Sequence, residues 1–303
     1  MGGPKEDRLN LTKKCVANFS QIFMVYSDSE KQIESSIDFT RKPFIDVTDD
    51  QGVQNIVFKI EDEKTLSLIE EVMQDKTLLI ADGHHRYETA MNYRNLQSAD
   101  ANADYNYVMS YFTNLDDENL LVFPTHRIIT KWVEPYVLLQ KVKKYFDIKD
   151  YTFDGKNKAK VKAEFLQAIE NANEKQISMG LYMKNVNKFY LLTLRENFDE
   201  ILNEFNVPDV LKKLDLTVLH KILITKELGY SEEEQMAQDG IKYIKQESEA
   251  FDLIDSGKAE ASFIMAYPKI KDIKEISEAG YRMPQKSTYF YPKLLSGIVI
   301  NPL

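Results

Sequence analysis

The sequence predicts a mixed α+β fold rather than a regular doubly wound one. Short apolar runs alternate with amphipathic stretches along the whole chain, which indicates strands and helices in mixed order. With 303 residues, 43% hydrophobic and 29% charged, the composition is typical of a globular protein with one large domain or two ordinary ones. No apolar run approaches the roughly 18 to 20 residues of a membrane helix, and the first residues lack the apolar core of a signal peptide. We therefore expect a cytoplasmic protein with no membrane partner.

The first half alternates predicted strands and helices. Apolar runs predict strands at residues 21–28, 43–50, 55–62 and 77–83. Amphipathic periodicity predicts helices at 31–41, 63–75 and 84–97. The polar turn DDEN then separates the apolar runs 105–115 and 121–130, a pattern that predicts a β-hairpin.

The second half is richer in helices. Helices are predicted at 136–146, 158–173, 210–229, 248–257 and 271–280, the long one closed by Gly229. Strands are predicted at 177–183, 188–195, 241–245 and 261–268, the first pair forming a hairpin around KNVN. Residues 283–293, MPQKSTYFYPK, are predicted to be irregular. We place the domain boundary at Thr130–Glu134, which gives regions 1–130 and 131–303.

Charge and cysteine content exclude several classes of protein. The 39 basic residues minus the 48 acidic residues give a net charge of −9, which disfavours binding to DNA or RNA. The single cysteine, Cys15, excludes an intramolecular disulfide and a multi-cysteine zinc site. The sequence leaves the oligomeric state open.

The segment TLLIADGHHRYETA, residues 77–90, carries the clearest chemical signal. A buried strand ends at Asp82 and Gly83, and a helix begins in the HHR that follows. A helix start offers backbone N–H groups and the positive end of the helix dipole, so it favours an anion. Arg86 can form paired hydrogen bonds with phosphate, and His84 and His85 can donate hydrogen bonds or carry protons.

A structural interpretation of the same segment stays open. Asp82 and Gly83 can form a simple tight turn, with Asp82 capping the helix and both histidines solvated. The chain has only four histidines, and two of them are adjacent here. That concentration favours a functional site.

The ADGHHRYETA block resembles the signature of DUF1015, a bacterial and archaeal family of domains of unknown function. The resemblance extends to PKEDRLNL near the start, FPTHRIIT at 123–130 and MPQKSTYFYPKLLSG at 283–297, in the family's order. GHHR is also similar to the GxxR element of the ParB/sulfiredoxin-like superfamily, which includes chromosome-partition proteins, sulfiredoxins and free-serine kinases. In these proteins the element holds nucleotide phosphates. Family members carry a further N-terminal segment, so we expect that segment and a catalytic carboxylate within it to be missing here.

The resemblance implies a fold and a set of site residues. Region 1–130 would be a ParB/sulfiredoxin-like phosphate- or nucleotide-binding domain, and region 131–303 would contribute the loop 283–293. Asp82, His84 and His85 would be catalytic, with Asp82 orienting His84 or holding Mg²⁺. The expected cofactor is ADP or ATP with Mg²⁺, and the expected partner is a nucleotide or a phosphorylated metabolite. The residues expected to hold the cofactor are Gly83, His84, His85, Arg86, Lys286, Ser287 and Thr288. Those expected at the substrate are Arg8, His126, Arg127 and Lys293.

Structural interpretations also stay open for the candidate residues outside the GHHR segment. His126 lies in a predicted strand and can equally be a satisfied buried histidine. The 283–293 block can be a final strand whose aromatic residues belong to the core, and it lacks the glycines of a P-loop.

The function most consistent with the sequence is phosphoryl transfer to a small molecule, similar to free-serine kinases. A nucleotide-binding regulator without catalysis is the first alternative, and a metal-dependent hydrolase using Asp82, His84 and His85 is the second.

Overall fold

The computed structural model describes residues 3–50, 52–195, 198–284, 286–291 and 293–303. The chain forms two compact units, Met1–Leu121 together with Pro292–Leu303, and Val122–Tyr291. We call them unit 1 and unit 2. Helices and β-sheets occur in both, so the predicted α+β class is confirmed. The domain boundary predicted from the sequence, Thr130–Glu134, lies later in the chain than the division between Leu121 and Val122.

Among the described residues, unit 1 combines small sheets with three longer α-helices, one short α-helix and strands from both ends of the chain. Its elements are α1 (Gly3–Cys15), β1 (Ala17–Asn18), β2 (Ile22–Tyr26), α2 (Gln32–Ser36), β3 (Ile45–Thr48), β4 (Gln54–Val57), α3 (Glu63–Gln74), β5 (Leu79–Asp82), α4 (His84–Asn95), β6 (Ser110–Asn114) and β15 (Asn301–Pro302). β2 is the central strand of a three-stranded sheet, antiparallel to β5 and parallel to β6. All five side chains of β2, IFMVY, are buried, as a central strand covered on both faces requires.

Unit 2 is built on a six-stranded antiparallel sheet. Its elements are β7 (Leu121–Phe123, starting one residue earlier), β8 (His126–Ile129), α5 (Pro135–Val142), β9 (Phe146–Thr152), α6 (Lys158–Asn173), β10 (Ser178–Met183), β11 (Lys188–Leu194), α7 (Asp199–Glu204), α8 (Asp209–Lys212), α9 (Asp215–Val218), a π-helix (Leu219–Glu227), α10 (Glu232–Ala237), β12 (Ile241–Ile244), α11 (Glu247–Asp255), β13 (Ala261–Met265), α12 (Ile270–Glu278) and β14 (Tyr289–Tyr291). The strand order is β12-β8-β13-β10-β11-β9. β7 pairs separately with β14.

The unit 2 sheet has a hydrophobic core on each face. Alternate residues of β10 point to opposite sides, so Met179 and Leu181 join one core and Tyr182 joins the other. Helices α5, α9 and the π-helix contribute to the first core, and α6 and α11 to the second. At Gly180 the sheet lies so close to α6 that an added Cβ would sit 2.5 Å from Phe165.

The predicted β-hairpin across 105–130 is wrong. β6 pairs with β2 in unit 1, whereas β8 pairs with β12 and β13 in unit 2. Pro124 also divides the predicted single strand 121–130 into β7 and β8, because proline has no N–H to donate to a sheet.

The predicted long helix over 210–229 is interrupted. Leu214 adopts an extended backbone, and Asp215 starts a new helix, its carboxylate accepting the N–H of Leu216. Helix α2 is also shorter than the predicted 31–41. Among the described residues, no helix has the length and apolar character needed to cross a bilayer.

Candidate functional site

The predicted strand–turn–helix of unit 1 is present. β5 ends at Asp82, Gly83 adopts the left-handed backbone with φ of 96°, and α4 begins at His84. The Gly83 carbonyl accepts the N–H groups of Arg86 and Tyr87 at 2.8 and 3.0 Å. Gly83 provides no side-chain cap, and the first turn of α4 has no acidic residue. The positive end of α4 is therefore not neutralised by its own first turn.

Arg86 folds back across this helix start. Its Nη2 donates to Asp82 Oδ2 at 3.0 Å, and its Nη1 donates to Ser20 Oγ at 2.9 Å. A Cβ at position 83 would lie 2.8 Å from Arg86 Nε. Both the backbone angle and the close approach of the guanidinium thus require glycine at position 83.

Asp82 contacts a second cationic side chain in addition to Arg86. The Nζ atom of Lys293 lies 3.6 Å from Asp82 Oδ2, and Arg86 occupies the same carboxylate oxygen. Asp82 therefore orients two positive side chains beside the start of α4. An incoming anion would compete with Asp82 for both.

The adjacent histidines lie on the outer side of this turn. Both side chains are exposed, and His85 Nδ1 is 3.5 Å from Glu88 Oε2. The carbonyl of His85 accepts a hydrogen bond from Thr89 Oγ1 at 2.7 Å. Imidazoles in this position can donate hydrogen bonds or exchange protons with a molecule bound at the turn.

These residues line a cleft of about 470 Å³ within unit 1. The size is in the range of small-molecule sites. Its polar lining is Arg8, Thr12, Asn18, Ser20, Asp82, His84, His85, Arg86, Thr89 and Ser296. Its apolar lining includes Leu11, Phe19, Ile22 and Val108. The cleft thus offers cationic and hydrogen-bonding groups next to an apolar wall.

The surroundings of Asp82 do not fit a protein-held Mg²⁺. The carboxylate contacts two cationic side chains, which occupy the position that a metal ion would need. Within the described part of the chain, no group of three or more His, Cys, Asp or Glu residues has the geometry of a metal site.

His126 and Arg127 lie in β8 of unit 2 and are both buried. His126 Nδ1 accepts the N–H of Met265 at 3.1 Å, so this histidine is a packed, hydrogen-bonded residue of the sheet. Burial lowers the pKa of His126 to about 4, which keeps its ring neutral. Arg127 is completely buried and donates to the carbonyls of Thr125 and Lys286.

The predicted phosphate-binding loop 283–293 is described apart from Gln285 and Pro292, which lie outside the described residues. Ser287 is buried, and its hydroxyl donates to the Pro284 carbonyl at 2.5 Å. The ammonium of Lys286 lies 4.7 Å from the centre of the Tyr243 ring. Thr288 is half-buried. Lys286, Ser287 and Thr288 belong to unit 2, whereas Lys293 belongs to unit 1 with the GHHR turn.

Sequence reasoning missed part of the cleft. Asn18 and Ser20 line it but stand in a segment without a recognisable motif, and Ser296 also lines it, in the 283–297 block but not among the residues expected at the site. The place of Ser20 in the cleft is recognised only from its contact with Arg86, which is 66 positions away in the sequence. No local pattern could have identified it.

Comparisons with known proteins give one family and several structures. The sequence profile of the family described as "Protein of unknown function (DUF1015)" matches residues 1–217. None of the curated proteins matches the sequence. The chain is similar to a conserved hypothetical protein from Pyrococcus furiosus, with 12% identity and a TM-score of 0.43 over 97% of this chain and 84% of that one. It is also similar to a free serine kinase in complex with AMP, with 12% identity and a TM-score of 0.44 over 96% and 80%.

Proposed function

The chain belongs to the DUF1015 family, and we propose that it binds the phosphates of a nucleotide in the cleft of unit 1 and transfers a phosphoryl group to a small molecule. The observation that carries this proposal is the cleft lined by Arg8, Arg86 and the start of α4, in which Asp82 contacts both Arg86 and Lys293. The resemblance of the GHHR element to nucleotide-binding proteins of the ParB/sulfiredoxin-like superfamily supports it.

The cationic groups of this cleft can bind the phosphate groups of a nucleotide. Arg86 presents a planar fork beside helix N–H groups, a combination that binds phosphate oxygens through charge-assisted hydrogen bonds. Lys293 adds a second positive charge 3.6 Å from the same Asp82 oxygen. A phosphate entering here would replace Asp82 as the partner of both cations.

The apolar wall suits the rest of a nucleotide. Phe19, Leu11 and Val108 line the same cleft as the cations. A base or ribose could pack against these side chains while the hydroxyls of Ser20 and Ser296 provide hydrogen bonds. ADP or ATP is the expected nucleotide.

Phosphoryl transfer asks mainly for positioning and charge stabilisation. The terminal phosphoryl group would leave the nucleotide for a hydroxyl of the acceptor, and the hydroxyl proton would pass to a base. His84 and His85 stand at the cleft and are the proton carriers we assign, while Asp82 positions Arg86. Serine or a similar metabolite is the expected acceptor.

The proposal is tested by calorimetric titration of the full chain with ADP and ATP, with and without magnesium. Arg86→Ala should weaken binding at least about tenfold, since it removes a charge-assisted fork. Arg94→Ala is the matched control, because it removes the same charge from the last turn of the same helix. Equal affinities for Arg86→Ala and Arg94→Ala, or no binding to the unchanged protein, would overturn the assignment.

A regulator that binds the nucleotide without turnover is the second candidate. It is favoured by the engagement of Asp82 with two cations, which makes this carboxylate a poor general base. Binding of ADP or ATP without product over a panel of hydroxylated metabolites would select it. The hydrolase alternative has no metal site in the part of the chain that the structure describes.

A further inference from the structure

A second positive site lies in unit 2, built around the buried Arg127. Its Nε donates to His220 Nε2 at 3.0 Å, and its Nη2 donates to the Lys286 carbonyl at 3.0 Å. The remaining amino group donates to the Thr125 carbonyl. Every one of these acceptors is neutral, while the buried carboxylate of Asp215 interacts electrostatically with the guanidinium, which offsets part of the lowering of the Arg127 pKa by burial. Arg127 therefore holds the Lys286 backbone and the His220 ring in place and does not itself require a bound anion.

His220 holds the guanidinium without adding charge. Its Nδ1 is 2.6 Å from Gln235 Oε1, so Nδ1 carries the proton and Nε2 accepts from Arg127. Burial and the neighbouring Arg127 lower the pKa of His220 to about 4, so the ring is neutral at pH 7. The π-helix positions His220 in this contact, and such helices are frequent at functional sites.

Lys286 is held in an unusual backbone conformation by the same arginine. Its φ of 55° is in the left-handed region, which a lysine adopts at a cost, and Arg127 binds its carbonyl. This conformation places the ammonium 4.7 Å from the centre of the Tyr243 ring, and the Arg127 guanidinium is 5.2 Å from the same ring. Partial desolvation of the ammonium and the charge of Arg127 lower the pKa of Lys286, although the residue as a whole is exposed. Arg127 and Lys286 thus both lie against the Tyr243 ring.

The ammonium faces a cleft of about 250 Å³ within unit 2. Met236, Pro284 and the Tyr243 ring give it apolar walls. Its other charged groups, Lys221 and Glu232, pair with each other at 2.6 Å. Lys286 is therefore the cation that this cleft offers to a ligand.

We propose that this cleft binds a small organic carboxylate, whose charged group pairs with Lys286 and whose apolar part packs on Tyr243, Met236 and Pro284. One ammonium matches one negative charge, whereas a phosphate dianion would normally require more cations. Arg127 is a positioning residue here, since it holds the Lys286 backbone and is itself too buried to touch the ligand. This site is separate from the phosphate cleft of unit 1 and does not depend on the proposed function.

The test is calorimetric titration of the full chain with acetate, propionate, butyrate, benzoate and inorganic phosphate. We expect binding of the carboxylates and a gain of about fourfold for each methylene that the apolar walls cover. Inorganic phosphate should bind at least tenfold more weakly than butyrate at this site, a difference of about 1.4 kcal/mol. To keep the two clefts apart, the phosphate titration is run on Arg86→Ala.

Lys286→Met should weaken butyrate binding at least about tenfold. Lys245→Met is the matched control, because Lys245 lies 4.0 Å from the centre of another tyrosine ring, Tyr289, and does not line the cleft. Since Lys286 is exposed, its replacement should leave the fold unchanged, and an unaltered unfolding midpoint checks this.

Three results would overturn the inference: no carboxylate binding to the unchanged protein, equal loss in Lys286→Met and Lys245→Met, or loss of ADP binding in Lys286→Met without any carboxylate binding. The last result would assign Lys286 to the nucleotide instead, as the sequence resemblance predicted. Failure of nucleotide binding alone would overturn the proposed function and leave the carboxylate site standing.

Discussion

Asp82 has two opposing effects at the start of α4. It orients Arg86 and Lys293, and it also competes with any anion for these two cations. Asp82→Asn should therefore tighten ADP binding by about two- to fivefold, the strength of an exposed ion pair. Phosphoryl transfer should slow at the same time, because the cations are no longer positioned. Separate measurement of the dissociation constant and of turnover checks this split.

Asp50→Asn serves as the control for Asp82→Asn, because it makes the same charge change at an exposed position of unit 1. If both variants changed ADP affinity equally, the effect would be general electrostatics and Asp82 would have no direct part.

Gly83 was expected from the sequence in a turn between a strand and a helix, and the structure gives it a φ of 96° at that place. Gly83→Ala should cost about 1 to 3 kcal/mol in the free energy of unfolding, because it places a Cβ in the left-handed region. It should also displace Arg86, whose Nε would be only 2.8 Å from the new Cβ, and weaken ADP binding. Chemical unfolding and calorimetry measure the two effects.

Gly52→Ala separates the two effects of Gly83→Ala. Gly52 has a φ of 79°, but a Cβ there would meet nothing within 4 Å. Gly52→Ala should lower the free energy of unfolding through the backbone effect alone and leave the ADP affinity unchanged. Unchanged affinity in both variants would mean that Arg86 does not need its observed position.

At the level of elements, local periodicity predicted the amphipathic helices and the buried strands well. The hairpin of β10 and β11 and the strand–turn–helix at Gly83 are present as expected. Pairing between distant segments could not be predicted in this way. The strands on either side of DDEN belong to different sheets, because their partners lie far away along the chain. β9 was missed altogether, since it is an exposed edge strand with charged residues.

At Gly180 the sheet of unit 2 and helix α6 approach each other closely. Gly180→Ala would place a Cβ 2.5 Å from Phe165 and 2.6 Å from Ile169, so α6 must move away from the sheet. Overpacking of this kind typically costs about 1 to 3 kcal/mol. Urea unfolding should show the loss, while Gly155→Ala, in open space, should not. A neutral Gly180→Ala would mean that α6 adjusts freely.

For the whole molecule, buried histidines make stability depend on pH. Burial lowers the pKa of His126 and of His220 to about 4, below the value of about 6.5 in an unfolded chain. As the pH falls through this interval, the unfolded state binds more protons, and stability is lost by about 1 to 2 kcal/mol for each histidine between pH 7 and 5. Asp215 opposes this, because burial raises its pKa to about 6 and the folded state takes up its proton first. The net expectation is a protein less stable at pH 5 than at pH 7.

His126→Asn checks this pH dependence. The amide oxygen can accept the N–H of Met265 as Nδ1 does, but it does not titrate. Urea midpoints followed by circular dichroism should fall less between pH 7 and 5 in this variant. An unchanged slope would show that His126 titrates normally in the folded protein.

The acidic net charge of −9 coexists with local cationic sites in both units. The expectation that long polyanions do not bind stays a prediction from composition, and composition says nothing of where a small anion could bind. Those places depend on contacts such as Arg86 with Ser20 and Arg127 with Lys286, between residues far apart in sequence. The cytoplasmic location stays a prediction.

Unit 2 is inserted between the two segments of unit 1, and β1 pairs with β15 at the far end of the sequence. During synthesis from the N-terminus, all of unit 2 emerges from the ribosome before residues 293–303 do. Unit 2 can therefore fold while unit 1 still lacks its last strand, together with Ser296, which lines the cleft, and Lys293, which contacts Asp82. The cleft would be completed only once residues 293–303 have been added, so a shorter nascent chain would lack Ser296 in its lining.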